Sequence, residues 1–318
     1  MLFGFGGDII FYDGAMGTML QRNGLKPGDR PDIMNITDPD AVGNVHRMYV
    51  EAGAEIIIAN TFGANARALS GTGYTPAEII SAGISIARRA AGVASGSGDA
   101  SPAGGALPEG GDSDAVGASP AGGALPAGGR VKVAFDIGPL GSLLEPMGDI
   151  AFSEAYALFI EQAEAGENAG ADFAAIETMS DLKELEAAVR AVKDSTSLPV
   201  LATMTFDKTG CTYLGITPES FAETAERLGA EAVGLNCSLA PEEMYATAER
   251  IAKATRLPLI VKPNAGLPDS RTGEYDIGPA EFARQMLPFI DIGAKIVGGC
   301  CGTTPEYIRE IRKAFSGM

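Results

Sequence analysis

The sequence is poor in the side chain that enzymes use most often for proton transfer, because histidine occurs only once, at position 46. His46 lies in the middle of a segment with helical periodicity, and we interpret it as a surface or groove residue and not as a ligand. With no other histidine in the chain, acid–base catalysis is not expected to be central to its function.

Basic residues and long apolar runs are also scarce. The chain has 24 Lys and Arg against 41 Asp and Glu, a net charge of −17. Nucleic acids and anionic membranes are therefore not expected as partners, because binding to phosphates requires clustered basic residues. No stretch approaches the roughly 20 apolar residues of a membrane span. The N-terminus lacks the basic and apolar regions of a signal peptide, so we expect a cytoplasmic protein.

Cysteine occurs only four times, yet Cys300 and Cys301 are adjacent. Neighbouring Cα atoms lie about 3.8 Å apart across a trans peptide, below the roughly 4.4 to 6.8 Å that a disulfide normally spans. Thiols stay reduced in the cytosol, where cysteine clusters bind metals or catalyse reactions more often than they form disulfides. The pair is therefore interpreted as a metal-binding feature.

Short β-rich apolar runs alternate with segments of helical periodicity, and the runs number eight. They occupy residues 8–12, 55–60, 132–137, 172–177, 199–205, 232–236, 258–262 and 294–298. Several helical segments begin with Pro and an acid, as at residues 217–219, and end in Gly-Ala, as at residues 229–230. Eight βα units predict an α/β fold, a single-domain (β/α)8 TIM barrel over residues 1–318.

Residues 93–129 break this alternation, because they are almost wholly Ala, Gly, Ser, Pro and acidic residues. Residues 100–108 recur verbatim as residues 118–126. So few large side chains cannot offset the entropy of ordering, and we expect a flexible insertion. It joins the second helix to the third strand, so it is predicted at the N-terminal face of the barrel, away from the active-site end.

The barrel prediction brings three cysteines to one face. Cys237 follows the sixth apolar run, and Cys300 and Cys301 follow the eighth, while active sites of TIM barrels lie at the C-terminal ends of the strands. Each cysteine alone could be a small buried hydrophobic residue. Three at two strand ends favour a shared metal ion. Cys211, in the loop after the fifth run, is left out of this set.

Zinc is the metal that this set favours. Sulfur-rich sites select zinc, Cu(I) or iron–sulfur clusters, and three cysteines fall short of the usual cluster set. A site with three protein ligands keeps one position open, which is typical of catalytic zinc. Three thiolates make zinc a weak Lewis acid for water, whereas a thiol substrate would bind deprotonated and remain nucleophilic. The sequence therefore predicts chemistry at a substrate sulfur.

Three motifs resemble those of the homocysteine S-methyltransferase family: DGAMGT at residues 13–18, GLNCS at 234–238 and GGCCGTTP at 298–305. Residues 262–268 (KPNAGLP) and 273–276 (GEYD) are most similar to the homocysteine-binding module of cobalamin-dependent methionine synthases. The resemblance covers the chain except for the low-complexity insertion. It implies a zinc-containing barrel that methylates the sulfur of L-homocysteine and so forms L-methionine.

The resemblance also implies residue roles. Cys237, Cys300 and Cys301 become zinc ligands and catalytic residues, and Asn264 becomes a possible fourth ligand before substrate binds. Asp13 follows the first run and Glu177 ends the fourth, where their carboxylates could hold the substrate ammonium. The complete predicted substrate-binding set is Asp13, Gly14, Ala15, Met16, Gly17, Thr18, Thr61, Phe62, Asp136, Glu177 and Asn236.

Some of these residues have simpler explanations. Glu177 could be a solvated acid at a strand end, and Asp136 could cap a turn. Residues 13–18 offer consecutive backbone N–H groups for a carboxylate, but any tight βα turn could use their glycines.

The methyl donor is left open. The chain ends at Met318, just after its eighth helix, with no cobalamin-binding segment following. We expect a methylcorrinoid, such as methylcobalamin, carried by a partner protein or module. The alternatives are a small donor, S-methylmethionine or betaine, and, from another class, a non-catalytic zinc-thiolate barrel with a regulatory or metal-binding role.

Overall fold

The computed structural model describes residues 9–26, 28–94, 131–269 and 271–316. Within these ranges eight parallel strands alternate with helices, as the apolar runs predict. The strands are Ile10–Phe11 (β1), Ile56–Ile58 (β2), Lys132–Ile137 (β3), Phe173–Met179 (β4), Val200–Met204 (β5), Ala232–Asn236 (β6), Leu259–Lys262 (β7) and Ala294–Val297 (β8). The strands are short and almost wholly buried, because helices cover the outer face of the sheet.

The helices lie between the strands. They are Met16–Arg22 (α1), Met34–Thr37 (α2), Pro39–Glu51 (α3), Pro76–Ala94 (α4), Phe152–Asn168 (α5), Leu182–Ser195 (α6), Pro218–Arg227 (α7), Pro241–Ala254 (α8), Pro279–Met286 (α9) and Pro305–Ser316 (α10), with 3-10 turns at Pro31–Ile33 and Leu287–Ile290. The predicted flexible insertion lies outside the described residues except for positions 93 and 94, which belong to α4.

The sheet closes on itself. Its strand order is β1-β8-β7-β6-β5-β4-β3-β2, and β1 meets β2 through a parallel bridge between Tyr12 and Ile56. Two backbone hydrogen bonds support this contact, from Glu55 N to Phe11 O at 2.7 Å and from Asp13 N to Ile56 O at 3.0 Å. The predicted (β/α)8 barrel is therefore confirmed.

Apolar side chains fill the barrel interior. The inward-facing cluster consists of Ile10, Tyr12, Ile56, Ile58, Ala134, Phe173, Ala175, Leu201, Ala232, Ile260 and Ile296. A larger apolar cluster lies between the outer face of the sheet and the helices. No helix in the described ranges is long and apolar enough to cross a membrane, and the cytoplasmic location stays a prediction.

His46 corrects one expectation, because it is fully buried and not at the surface. Within α3 it shares a face with Val42, Val45, Tyr49 and Val50, all of them buried. This spacing of three and four residues is that of the packed face of a helix, so position 46 faces the core. Neither ring nitrogen has a hydrogen-bond partner among the described residues.

Candidate metal and substrate site

The alternation of side chains along the strands places charged groups at the barrel mouth. Asp136, Glu177 and Lys262 each follow an inward-facing core residue by two positions, on β3, β4 and β7. Because successive side chains of a strand point to opposite faces, these three also face inward. They lie at the C-terminal ends of their strands, where barrel enzymes bind their substrates.

Three cysteine sulfurs meet at the same end of the barrel. The Sγ atoms of Cys237, Cys300 and Cys301 all lie within 4.8 Å of one another, and those of Cys237 and Cys301 are 3.7 Å apart. Tetrahedral zinc with Zn–S bonds of about 2.3 Å would hold two sulfurs about 3.8 Å apart. The observed spacing therefore fits a zinc ion bound by three thiolates.

The backbone bends sharply at these cysteines. Cys237 and Ser238 have left-handed φ angles of 62° and 60°, and Gly302 has a φ of 83°. Such values are uncommon for residues with a side chain, and they cluster at functional sites. At Gly302 a Cβ atom would lie 2.3 Å from the Tyr275 ring. The turn after β8 thus depends on glycine at position 302.

The segment at the end of β7 forms backbone hydrogen bonds with both cysteine-containing turns, the one after β6 and the one after β8. Cys237 N donates to Lys262 O at 3.0 Å, and Cys300 N donates to Pro263 O at 2.8 Å. Ala265 N in turn donates to Cys301 O at 2.9 Å. The motif at residues 262–268 therefore joins the ends of β6 and β8 through backbone hydrogen bonds.

Asn236, which was predicted to bind substrate, is fully buried and does not line the cavity at the barrel mouth. Its Oδ1 accepts hydrogen bonds from Thr178 N at 2.9 Å and Thr203 Oγ1 at 2.7 Å. Its Nδ2 donates to Thr178 Oγ1 at 2.8 Å and contacts Cys300 Sγ at 3.8 Å. These contacts orient the Cys300 sulfur, and a substrate-binding role for Asn236 stays a prediction without a contact to support it.

The three thiols differ in how easily they ionise, because each affects the pKa of the others. Hydrogen bonds from Cys300 and Cys301 lower the pKa of Cys237 to about 3. The hydrogen bond to Cys237 raises the pKa of Cys300 to about 11, and the hydrogen bonds to Cys237 and Cys300 raise the pKa of Cys301 far above its ordinary value. Without a cation one thiol therefore ionises easily and the other two resist. A bound dication removes this conflict, because it stabilises all three thiolates.

The sulfurs open into a cavity of about 400 Å³. Its lining consists of Gly14, Ala15, Met16, Gly17, Thr18, Pro31, Ile58, Ala59, Asn60, Phe62, Asp136, Glu177, Thr178, Cys237, Lys262, Gly299, Cys300 and Cys301. The volume suits a small-molecule ligand of the size of an amino acid. Of the residues predicted to bind substrate, 14–18, Phe62, Asp136 and Glu177 lie around this one cavity.

Two buried carboxylates at the barrel mouth each have one oxygen without a hydrogen-bond partner among the described residues. Asp13 Oδ2 accepts from Ile58 N at 2.8 Å, whereas Asp13 Oδ1 and Asp136 Oδ1 have no partner among the described residues. Burial raises the pKa of Asp13 to about 7. Burial, together with repulsion from Glu177, raises the pKa of Asp136 well above its ordinary value. A cationic ligand group would relieve both penalties.

Glu177 is paired with Lys262, a residue that the sequence reasoning did not assign to the site. Lys262 Nζ lies 2.6 Å from Glu177 Oε2 and 4.8 Å from the centre of the Tyr12 ring. Burial raises the pKa of Glu177, and Lys262 partly offsets that effect. A signal was present, because a lysine two residues beyond inward-facing Ile260 must also point into the barrel.

Thr61, a predicted substrate-binding residue, and Asn264, a predicted fourth metal ligand, are both absent from the lining of this cavity. Thr61 is fully buried, and its Oγ1 donates to Asp136 O at 2.9 Å and accepts from Asp136 N at 3.0 Å. It therefore fixes the end of β3 and does not line the cavity. Asn264 Oδ1 is buried without a partner among the described residues, which leaves it free to act as a ligand.

Cys211 lies in the loop between β5 and α7 and is absent from the metal-binding group. This agrees with its omission from the predicted ligand set.

The geometry is accompanied by clear similarity to known proteins. The family model described as homocysteine S-methyltransferase matches residues 10–315. A methionine synthase of Mycobacterium tuberculosis is 34% identical over 98% of this chain, and one of Mycobacterium leprae is 33% identical over 97%. The chain spans about a quarter of the length of these relatives, 25% and 24% respectively.

Solved structures show the same fold. The metallated form of the homocysteine methyltransferase MmuM from Escherichia coli superposes with a TM-score of 0.75 at 23% identity, covering 97% of this chain and 96% of that one. Its oxidized form gives a TM-score of 0.76 at 24% identity, with the same coverage. Given the family match over nearly its whole length, this chain belongs to the homocysteine S-methyltransferase family.

Proposed function

We propose that this barrel binds zinc through Cys237, Cys300 and Cys301 and transfers a methyl group to the sulfur of L-homocysteine, forming L-methionine. The observation that carries the proposal is the group of three sulfurs, spaced for tetrahedral zinc and open to a cavity that is also lined by Asp136, whose Oδ1 has no partner among the described residues. A methyl acceptor with a thiol at one end and an ammonium at the other matches both features.

Zinc, when bound, supplies a position at which a substrate thiol is held as a thiolate at neutral pH. The chain's own residues are proposed to bind the other groups of the substrate. Asp13 and Glu177 are proposed to hold the substrate ammonium, with Asp136 beside them. The backbone N–H groups of residues 14–18 are proposed to bind the substrate carboxylate. Asn264 is proposed as the ligand that occupies the fourth position before homocysteine arrives.

The proposed methyl donor is a methylcorrinoid carried by a partner protein or module. Support comes from the methionine synthase relatives, of which this chain matches only a quarter. Large apolar side chains are also exposed in the loops around the mouth: Phe62 at 41%, Met147 at 69%, Tyr213 at 66% and Leu267 at 55%. Exposed apolar groups gathered at one end of a protein suit contact with another protein surface.

X-ray absorption at the zinc edge, measured with and without L-homocysteine, tests the acceptor site. We expect homocysteine to add one sulfur to the three already bound. An unchanged coordination shell would contradict the proposal and support a non-catalytic zinc-thiolate protein instead.

The donor is tested by assaying methionine formation from methylcobalamin, S-methylmethionine and betaine in parallel. Turnover with methylcobalamin alone is the expected result. Turnover with either small donor and none with methylcobalamin would reject the corrinoid part of the proposal while leaving the homocysteine site intact.

A further inference from the structure

The cavity that contains the cysteine sulfurs is lined almost entirely by groups that are neutral or acidic. Asp136 and Glu177 face it together with the three cysteines, and Asp13 lies beside them. Among the described residues that line it, Lys262 is the one basic side chain. Lys262 therefore determines how much negative charge this end of the barrel can hold.

Lys262 is held in place by its neighbours. Its side chain is only 4% exposed, its Nζ lies 2.6 Å from Glu177 Oε2, and the Tyr12 ring covers the same ammonium at 4.8 Å. The ammonium thus stays charged, and in this buried position its field is weakly screened by salt.

The proposed chemistry accumulates negative charge in the cavity that Lys262 lines together with the three cysteines. A zinc ion with three thiolates carries one net negative charge, and a fourth thiolate, from the substrate, makes it two. Placing such a centre inside a protein is unfavourable unless an opposite charge lies nearby. Glu177 adds further negative charge, and among the described residues that line the cavity only Lys262 carries a positive charge.

We propose that Lys262 is the counter-charge of the zinc-thiolate centre, and that its ammonium sets the affinity of the site for an incoming thiolate. Lys262 is therefore a positioning residue that acts through its field on the cysteine sulfurs and on the substrate sulfur beside them. This inference rests on the proposed function, because it concerns how the same site accepts a thiol.

The test compares charge variants of the ion pair in protein loaded with cobalt(II), whose sulfur-to-metal absorption reports each added thiolate. The variants are Lys262→Met, Glu177→Gln and the double variant with both changes. Glu177→Gln keeps an oxygen that accepts from Lys262 and removes a negative charge. The probe is 2-mercaptoethanol at one fixed pH, because it lacks the ammonium and carboxylate that would contact Asp13 or Glu177 directly.

The affinity for 2-mercaptoethanol should follow the charge that remains at the pair. We expect Lys262→Met to bind at least about tenfold more weakly than the wild type, Glu177→Gln to bind more tightly, and the double variant to lie between the two. Affinity for cobalt(II) itself, measured by competition with a chelator, should change in the same order. A purely structural role for Lys262 would weaken binding in all three variants alike.

Unchanged affinity in Lys262→Met, or equal weakening in all three variants, overturns the inference. If Lys262→Met does not fold, the other two variants decide: the double variant must bind at least about tenfold more weakly than Glu177→Gln, and equal affinities overturn the inference. A wild-type spectrum that responds to neither L-homocysteine nor 2-mercaptoethanol overturns the proposed function as well. A wild type that binds both thiols, with no effect of Lys262, overturns this inference alone.

Discussion

Cys237 is the residue on which the candidate metal site depends most, because it alone brings the sixth strand to the two cysteines that follow the eighth. Its left-handed backbone, with a φ of 62°, turns Sγ to within 3.7 Å of Cys301 Sγ. Two adjacent cysteines without it offer only half of a tetrahedral shell.

Replacing Cys237 with Ser should therefore abolish stoichiometric zinc binding. We expect about one zinc per chain in the wild type and little in C237S, measured by metal analysis after dialysis. Cys211→Ser is the matched control, because that thiol lies outside the cluster, and it should keep its zinc. Full zinc occupancy in C237S would contradict the three-cysteine site.

His46 gives the molecule a specific sensitivity to acid. Burial without a hydrogen-bond partner lowers its pKa from 6.5 to about 3. The unfolded chain therefore takes up the proton more readily than the folded one, so stability is complete above about pH 6.5 and falls as the pH drops toward 3.

His46→Leu should remove this part of the pH dependence. Between pH 7 and pH 5 the wild type should lose about 2 kcal/mol more free energy of unfolding than H46L does, since each pKa unit corresponds to about 1.4 kcal/mol. Urea denaturation at the two pH values measures the difference. Parallel losses in both proteins would show that His46 finds a partner for its proton in the folded state.

At the scale of single elements, the inward faces of the strands combine core packing with site geometry. Gly234 on β6 shows this, because a Cβ atom there would lie 1.9 Å from the backbone oxygen of Ile260 on β7. The absence of a side chain lets β6 and β7 approach closely just before Asn236 and Cys237.

Gly234→Ala should destabilise the barrel by about 3 kcal/mol, since backbone must move to admit the methyl group. Weaker zinc binding should accompany the loss, because Cys237 follows three residues later. Gly92→Ala on α4 is the control: no atom lies within 4 Å of its added Cβ, and helix propensity predicts a gain of about 0.5–1 kcal/mol. Chemical denaturation of both variants measures these changes, and equal effects would contradict the steric argument.

The strands could be predicted from the sequence more completely than the short helices and the turns. All eight strands were predicted, because strands buried on both faces form apolar runs, and the β6 and β8 ends located the cysteines. The short helices α1 and α2 were missed, since helices of seven and four residues carry little periodicity. The left-handed turns at Thr178 and Cys237 were missed because tertiary contacts impose them on residues that do not favour them. The Lys262–Glu177 pair depends on the neighbourhood of distant strands, which periodicity alone does not reveal.

For the whole molecule, a metal ion bound at the candidate site would couple local chemistry to global stability. Zinc that binds only the folded barrel stabilises it by an amount that rises with the free zinc concentration. At a zinc concentration of 100 times the dissociation constant, the gain in the free energy of unfolding should be about 2.7 kcal/mol. Thermal unfolding with zinc and with a chelator should therefore differ for the wild type and coincide for C237S. Equal shifts in both proteins would indicate zinc binding elsewhere.

The backbone hydrogen bonds between the segment after β7 and the two cysteine turns have a consequence for the kinetics of folding. Cys237 and its partners Cys300 and Cys301 are separated by more than 60 residues, 64 between Cys237 and Cys301, and their turns share backbone hydrogen bonds with residues 262–265. A complete sulfur shell can form only after β6, β7 and β8 have assembled in register, and contacts so distant in sequence form late. During refolding, the cobalt absorption of the three-sulfur site should thus appear after helix content has recovered. The time at which it appears would report the assembly of β6, β7 and β8, the last third of the barrel.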